Sequence, residues 1–148
     1  MITKELNKVL KGAYNTPFLL DVFFKSDKKK KPVVIFSHGF KGFKDWGSFN
    51  QIANIFAEKG VVFMKYNFSH NGTTLDNPMH FYDLHSFSQN NYTKELEDID
   101  SVIDFVLSNS YLSNEIDPTQ IVLMGHSRGG GISIIKASED DRISKVIS

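Results

Sequence analysis

The sequence predicts a wound α/β domain, a mostly parallel sheet with helices on both faces. Three short apolar runs, Val33–Phe36, Val61–Met64 and Ile121–Met124, lack polar alternation, as strands buried on both faces of a parallel sheet do. Stretches of helical periodicity separate them, so strand and helix alternate along the chain. A long, polar, turn-rich stretch from Asn67 to Asn90 follows the second run. That position sets it at the carboxyl edge of the sheet, where such folds bind ligands, and a connection of that length is usually functional.

The remaining elements follow in order. Residues 17–25, reading PFLLDVFFK, predict a strand near the sheet edge. Residues 3–11 are its candidate antiparallel partner across the turn Gly12–Thr16, although Leu6, Val9 and Leu10 also fit a helical face. The lysine run Lys28–Lys31, stopped by Pro32, is expected as a solvated turn. From Ser48 to Lys59, Phe49, Ile52, Ile55 and Phe56 share one helical face. Ser48 and Gln51 have capping-box spacing there, and Gly60 stands at C′. From Thr93 to Leu107 the stripe is Leu96, Ile99, Val102, Ile103 and Val106, with Glu95 and Glu97 suiting the positive end of the helix dipole. A third helix runs from Ser127 to Ala137, and Ile143–Ile147 starts another strand.

A chain of 148 residues is a usual size for one domain, and 41% hydrophobic residues with 13 Phe suit a core of large side chains. Lys plus Arg and Asp plus Glu both number 17. This balance lacks the basic footprint of a nucleic-acid binder and disfavours anchoring on an acidic membrane. No apolar run approaches the ~20 residues of a membrane span. The absence of cysteine excludes disulfides, thiolate chemistry and Cys-based zinc sites. Met1–Leu6 lacks a basic-then-apolar leader, so the expected location is cytoplasmic.

The chemistry concentrates at Gly125-His126-Ser127-Arg128-Gly129, a G-x-S-x-G with a strand before it and a helix after it. A serine on such a sharp turn has its hydroxyl pushed out at the top of the sheet, and Gly125 and Gly129 leave room where side chains would collide. Gly130 and Gly131 extend that small-residue surface, despite a helix penalty of about 1 kcal/mol each. The second motif, Ser37-His38-Gly39-Phe40, directly follows a buried strand. The backbone amides of Phe40 and Arg128 are the candidate oxyanion donors. His38 is expected to hold its loop by a hydrogen bond rather than to act as a base.

In this order the residues resemble the α/β-hydrolase family from about residue 17 onward, most closely its branch of small serine esterases, acyl-peptidases and dienelactone-hydrolase-like proteins. The resemblance implies a sheet of about eight strands, with six of them in this chain. It implies Ser127 as nucleophile, an oxyanion hole at Phe40 and Arg128, and elbow and loop support from His38, Gly39, Gly125, His126 and Gly129. It also implies a small acyl substrate and no metal or organic cofactor, nucleic acid or membrane partner.

The family's acid and histidine come after the serine. Here Glu139, Asp140 and Asp141 follow Ser127, but no histidine does. The expectation is a single, C-terminally incomplete domain over 1–148. It would be inert alone, its bare sheet edge covered by a dimer partner or a missing C-terminal half. Neither a dyad rebuilt from His70, His80, His85 or His126 nor a metal site from His80, Asp83 and His85 is expected. His70, Asn71, Phe81 and Phe87 are candidates for one pocket wall. The alternative is a non-catalytic protein that binds a ligand or partner. Nucleotide binding fails, because Gly125–Gly131 lacks the Lys-Ser/Thr end of a phosphate loop.

Overall fold

The computed structural model describes residues 1–108 and 110–148. The elements run β1 (Ile2–Lys11), β2 (Pro17–Lys25), β3 (Lys31–Ser37), α1 (Phe49–Glu58), β4 (Val62–Tyr66), α2 (Leu84–Ser88), α3 (Tyr92–Ser108), β5 (Ile116–Gly125), α4 (Arg128–Glu139) and β6 (Ile143–Ile147). The described strands form a six-stranded sheet in the order β1-β2-β4-β3-β5-β6. β4, β3, β5 and β6 are parallel, and α1, α3 and α4 fill the crossovers between them. β2 lies antiparallel to β4 and β1 antiparallel to β2.

The hairpin anticipated at 3–11 and 17–25 is therefore present, with Ile2 opposite Lys25 and Lys11 opposite Pro17. Its register shifts between Glu5 and Lys8. In that bulge Asn7 takes φ +57° and its N–H donates to Asp21 Oδ1 at 2.8 Å. Leu6 and Val9 stay exposed, so backbone pairing rather than a buried helical face decides the conformation.

Alternate strand residues feed two apolar layers, as the pleat requires. On one face Ile99, Val102, Ile103 and Val106 of α3 and Ile132 of α4 pack over Val33, Ile35, Met64 and Leu123. On the other, Phe49, Ala53 and Ala57 of α1 cover Phe23, Val34, Phe36 and Phe63. The α3 stripe is the one the sequence predicts. The α1 stripe holds for Phe49, Ile52 and Phe56 but not for Ile55, which is 55% exposed; the helix is turned so that Ala53 and Ala57 are buried as well. Small residues at those positions let α1 sit close on a Phe-rich sheet face. The capping box also fails to form, since the Ser48 side chain makes no cap bond; the chain enters α1 through a turn in which Phe49 N–H donates to Trp46 O. Gly60, at φ +82°, does take the C′ position.

The lysine run divides. Lys28, Lys29 and Lys30 are exposed, but Lys31 opens β3 and is buried, its Nζ 2.6 Å from Glu115 and 2.5 Å from Asp27. The solvated-turn expectation is thus wrong for its last member, whose buried carboxylate partner, Glu115, lies 84 residues away.

A second buried ion cluster fixes the chain beyond Phe40. Asp21 Oδ2 accepts from Lys44 at 2.8 Å and Lys65 at 2.6 Å, while Asp45 accepts from both ammoniums at 2.7 Å. The two lysines and two aspartates form a closed, charge-balanced ring. It ties the 44–45 segment to β2 and β4. Burial alone would raise the Asp45 pKa, but the two ammoniums hold it below the usual carboxylate range. Asp21→Ala would leave a buried positive charge uncompensated, with an expected loss of about 3–5 kcal/mol in denaturant unfolding. Glu5→Ala, which removes a partly exposed pair with Lys8, is expected to cost under about 1 kcal/mol in the same measurement.

Candidate active site

The site is built where β3 and β5 end side by side. His126 N–H donates to Ser37 O at 3.0 Å, which stitches the end of β5 to β3. Ser127 stands between β5 and α4 at φ +55°, ψ −119°, and is exposed. A residue with a Cβ rarely adopts positive φ, and it persists only where the surroundings fix it. Here Gly129 N–H donates to His126 O and Gly130 N–H to Ser127 O, both at 2.9 Å.

The flanking glycines are required sterically. A Cβ on Gly125 would lie 2.2 Å from Gly129 C and O, and one on Gly129 would lie 2.2 Å from Ser37 O and 2.4 Å from His38 O. Gly130 is crowded as well, by Ser148 Oγ at 2.5 Å. A Cβ on Gly131 would meet nothing within 4 Å, so the packing role expected of that glycine is corrected.

The second motif closes on the first. A Cβ on Gly39 would be 3.2 Å from Ser127 Cβ and 3.1 Å from His126 O, so the Gly39–Phe40 loop lies directly against the elbow. The Arg128 amide opens α4 and belongs to the orphan donors of a helix's first turn.

His38 is buried with both ring nitrogens engaged. Nδ1–H donates to Gly39 O at 2.9 Å, and Nε2 accepts from Phe68 N–H at 3.1 Å. That pairing assigns the neutral tautomer, and burial pushes the pKa down to about 4. The His126 ring turns toward α1, 5.8 Å from the Trp46 ring and 6.0 Å from that of Phe49.

Several participants have no local sequence signal. Arg128 Nε donates to both Glu95 carboxylate oxygens at 3.0 Å, and its guanidinium lies 4.3 Å from the Tyr92 ring centroid. Glu95 is buried, so its task is to clamp the residue after Ser127 as well as to suit a helix dipole. Asp98 accepts from Ala13 N–H at 2.9 Å and Ser69 N–H at 2.8 Å, joining the β1–β2 turn to the segment after β4. Burial raises its pKa to about 6. Only an alignment of distant segments in space exposes these pairings.

The remaining candidates are held elsewhere. His70 is buried, its Nδ1 2.8 Å from Ser69 Oγ, and burial together with Lys94 lowers its pKa. Asn71 Nδ2 donates to Gly42 O at 3.2 Å, and neither residue lines the two hollows beside the Phe40–Lys41 turn. Asp83 caps α2 by accepting Ser86 N–H, and His80 rests against Tyr82. Among the described residues no three His, Asp or Glu side chains are placed to hold a metal ion, the His80, Asp83 and His85 set included. Asp140 is held down to about 2 by Arg142, while Glu139 ends α4 exposed.

Two hollows flank the Phe40–Lys41 turn. One of about 100 Å³ is lined by Gly39, Phe40, Trp46, Phe49 and His126. The other, about 260 Å³, is walled by Lys41, Phe81, Leu84 and Phe87. A hollow of about 320 Å³ over the ion ring, lined by Asn7, Asp21, Lys44 and Asp45, touches neither motif.

A wound sheet carrying an exposed serine on a strained strand-to-helix turn defines an α/β-hydrolase fold. The chain belongs to the phospholipase/carboxylesterase family within that class, whose family model matches residues 21–147. It is 31% identical over 114 residues to a Mycoplasma genitalium protein that bears an esterase/lipase name, covering 77% of this chain and 35% of that one. It is 26% identical to the quorum-quenching protein AidA of Acinetobacter baumannii, covering 79% and 34%. The α/β-hydrolase GrgF of a Penicillium species superimposes with a TM-score of 0.74 at 18% identity, over 99% of this chain and 44% of that one. The chain thus spans about a third of the length of the curated relatives it matches. Among the described residues no helix is long and apolar enough to cross a membrane.

Two outcomes test this geometry. Gly129→Ala is expected to destabilise by at least about 1–3 kcal/mol through overpacking, whereas Gly131→Ala, in open space on a helix, should stabilise by about 0.5–1 kcal/mol; thermal unfolding reads both. For His38, a folded-state pKa near 4 against an unfolded value of 6.5 means stability that is present above pH 6.5 and lost as pH falls through 4. The stability gap between the wild type and His38→Asn should therefore narrow by about 3 kcal/mol from pH 7 to pH 4 in denaturant titrations.

Proposed function

We propose that Ser127 is the nucleophile of a serine hydrolase acting on carboxylic esters or related acyl compounds. The observation that carries this reading is the exposed Ser127 at positive φ with Gly39 pressed against it. On this reading the hydroxyl faces the space beside two backbone amides, those of Phe40 and Arg128, which serve as the oxyanion hole; the nearness of Gly39 to Ser127 supports it. The hydroxyl gives its proton to a base and attacks the ester carbonyl, and the tetrahedral oxyanion accepts hydrogen bonds from both N–H groups. The C–O bond breaks as the base passes that proton to the leaving alkoxide. Water, deprotonated by the same base, then cleaves the acyl-Ser127, and the proton returns to Ser127. Glu95 and Tyr92 act as positioning residues by fixing Arg128. No step requires a cofactor.

The base and its acid partner are assigned to residues outside 1–148. His38 has both nitrogens committed, and the sequence holds no histidine after Ser127. The matched relatives are more than twice as long, since the 114 and 117 aligned residues make up 35% and 34% of them, which leaves room for both groups. Without a base a serine is a weak nucleophile at neutral pH, and losing triad members costs on the order of 10⁴–10⁶ in turnover. The chain alone should therefore be nearly inert.

A fluorophosphonate probe should label Ser127 in a polypeptide that supplies the base, and Ser127→Ala should abolish labelling. Residues 1–148 alone should hydrolyse p-nitrophenyl acetate no faster than background. Brisk hydrolysis by the chain alone, lost in Ser127→Ala, would place the base within it. Silence of Ser127 toward the probe in the longer polypeptide would favour a non-catalytic binding role.

A further inference from the structure

The long connection after β4 is shaped to present hydrocarbon to the site. Gly72, at φ +92°, packs beneath two rings: a Cβ there would lie 3.2 Å from Phe87 Cβ and 3.4 Å from Phe81 Cδ1. Asp83 N–H donates to Gly72 O at 3.0 Å, and Asp83 in turn caps α2 through Ser86 N–H at 2.9 Å. The loop's base is tied down by Asn67 Nδ2 to Pro78 O at 3.1 Å and by Asn71 Nδ2 to Gly42 O at 3.2 Å. These bonds hold Phe81, Leu84 and Phe87 as the wall of the 260 Å³ hollow.

The hollow adjoins the Phe40 loop. Phe87 lies tilted against Phe40 at 5.7 Å, Phe81 stands 6.0 Å from Phe43, and Lys41 borders both this hollow and the 100 Å³ one lined by Gly39 and His126, the neighbours of the elbow. Phe40 and Leu84 remain 61% and 65% exposed at its rim. Large apolar side chains kept in water around a cleft mark a surface that takes an apolar group. A volume of 260 Å³ lies below the roughly 300–1,000 Å³ of pockets for drug-sized ligands. It suits one ring or a short chain, and it is too small for a long acyl tail.

We propose that the hollow walled by Lys41, Phe81, Leu84 and Phe87 binds the compact apolar group, aryl or short alkyl, of an ester whose carbonyl lies at Ser127. The inference rests on the nucleophile reading above. Within a family that spans phospholipases and carboxylesterases, it assigns this chain to compact esters.

The test uses methyl ketones, which carry a carbonyl but cannot be hydrolysed. Acetone, 4-phenylbutan-2-one, heptan-2-one and undecan-2-one are titrated while the Leu84 methyl resonances are followed by NMR. 4-Phenylbutan-2-one and heptan-2-one should shift those methyls. Affinity should rise by about fourfold per methylene up to about six carbons and then stop rising. Leu84→Ser, a change at an exposed position, should weaken 4-phenylbutan-2-one by about fivefold or more, and Phe87→Ala likewise. Unmoved Leu84 methyls, or affinity that climbs without a break to undecan-2-one, would overturn the proposal. Fluorophosphonate labelling separates the two readings. Shifted Leu84 methyls with Ser127 unlabelled would remove the nucleophile and leave the hollow's ligand class standing.

Discussion

The site depends on one close approach: the first turn of α4 lies so near the ends of β3 and β5 that no side-chain carbon fits at Gly125 or Gly129. With Ser37 O and His38 O in the place a Cβ at 129 would occupy, the chain has one way to pass from strand to helix. That passage forces Ser127 to positive φ and leaves it exposed. The same approach brings Gly39 against Ser127. Both motifs are thus set by a single contact between backbones, with side chains secondary.

Holding the Gly39–Phe40 loop takes a set of buried polar anchors. His38 fastens it to the backbone after β4, and a protonated ring would lose the Phe68 N–H bond to Nε2. Beyond it, the Asp21, Lys44, Lys65 and Asp45 ring locks the chain onto β2 and β4. Buried ion rings are weak sources of net stability but severe penalties when broken. Their value here is in fixing where the loop sits. Asp98 does similar work on the far side, tying the β1–β2 turn to the segment that carries Asn71. A loop anchored at this many points is preorganised, which is what an oxyanion site requires.

What the sequence discloses and what it hides follow from the range of the forces. The buried strands were legible as short apolar runs without polar alternation, the α3 stripe as a period of about 3.6, and the β1–β2 hairpin as two runs across a short turn, all patterns local in the chain. The elbow was legible because its constraint, two glycines around a strained residue, is written within five positions. The rotation of α1 was not, since Ala53 and Ala57 look less hydrophobic than Ile55 and are buried only because the facing sheet is full of phenylalanine. Lys31 looked like a surface charge because Glu115 is 84 residues distant. Glu95 was hidden in the same way, its partner Arg128 being 33 residues on. Gly131 was over-read: its neighbours are crowded, and it is not.

The central claim is that the strained elbow and the Gly39–Phe40 loop together make an oxyanion site. A crystal structure of the protein after phosphonylation tests it most directly, because the phosphoryl oxygen marks where the charge would develop. The account predicts phosphorus on Ser127 Oγ, with that oxygen at hydrogen-bond distance from the Phe40 and Arg128 amides and the residue still at positive φ. An adduct whose oxygen faces solvent, with neither amide in reach, would contradict it.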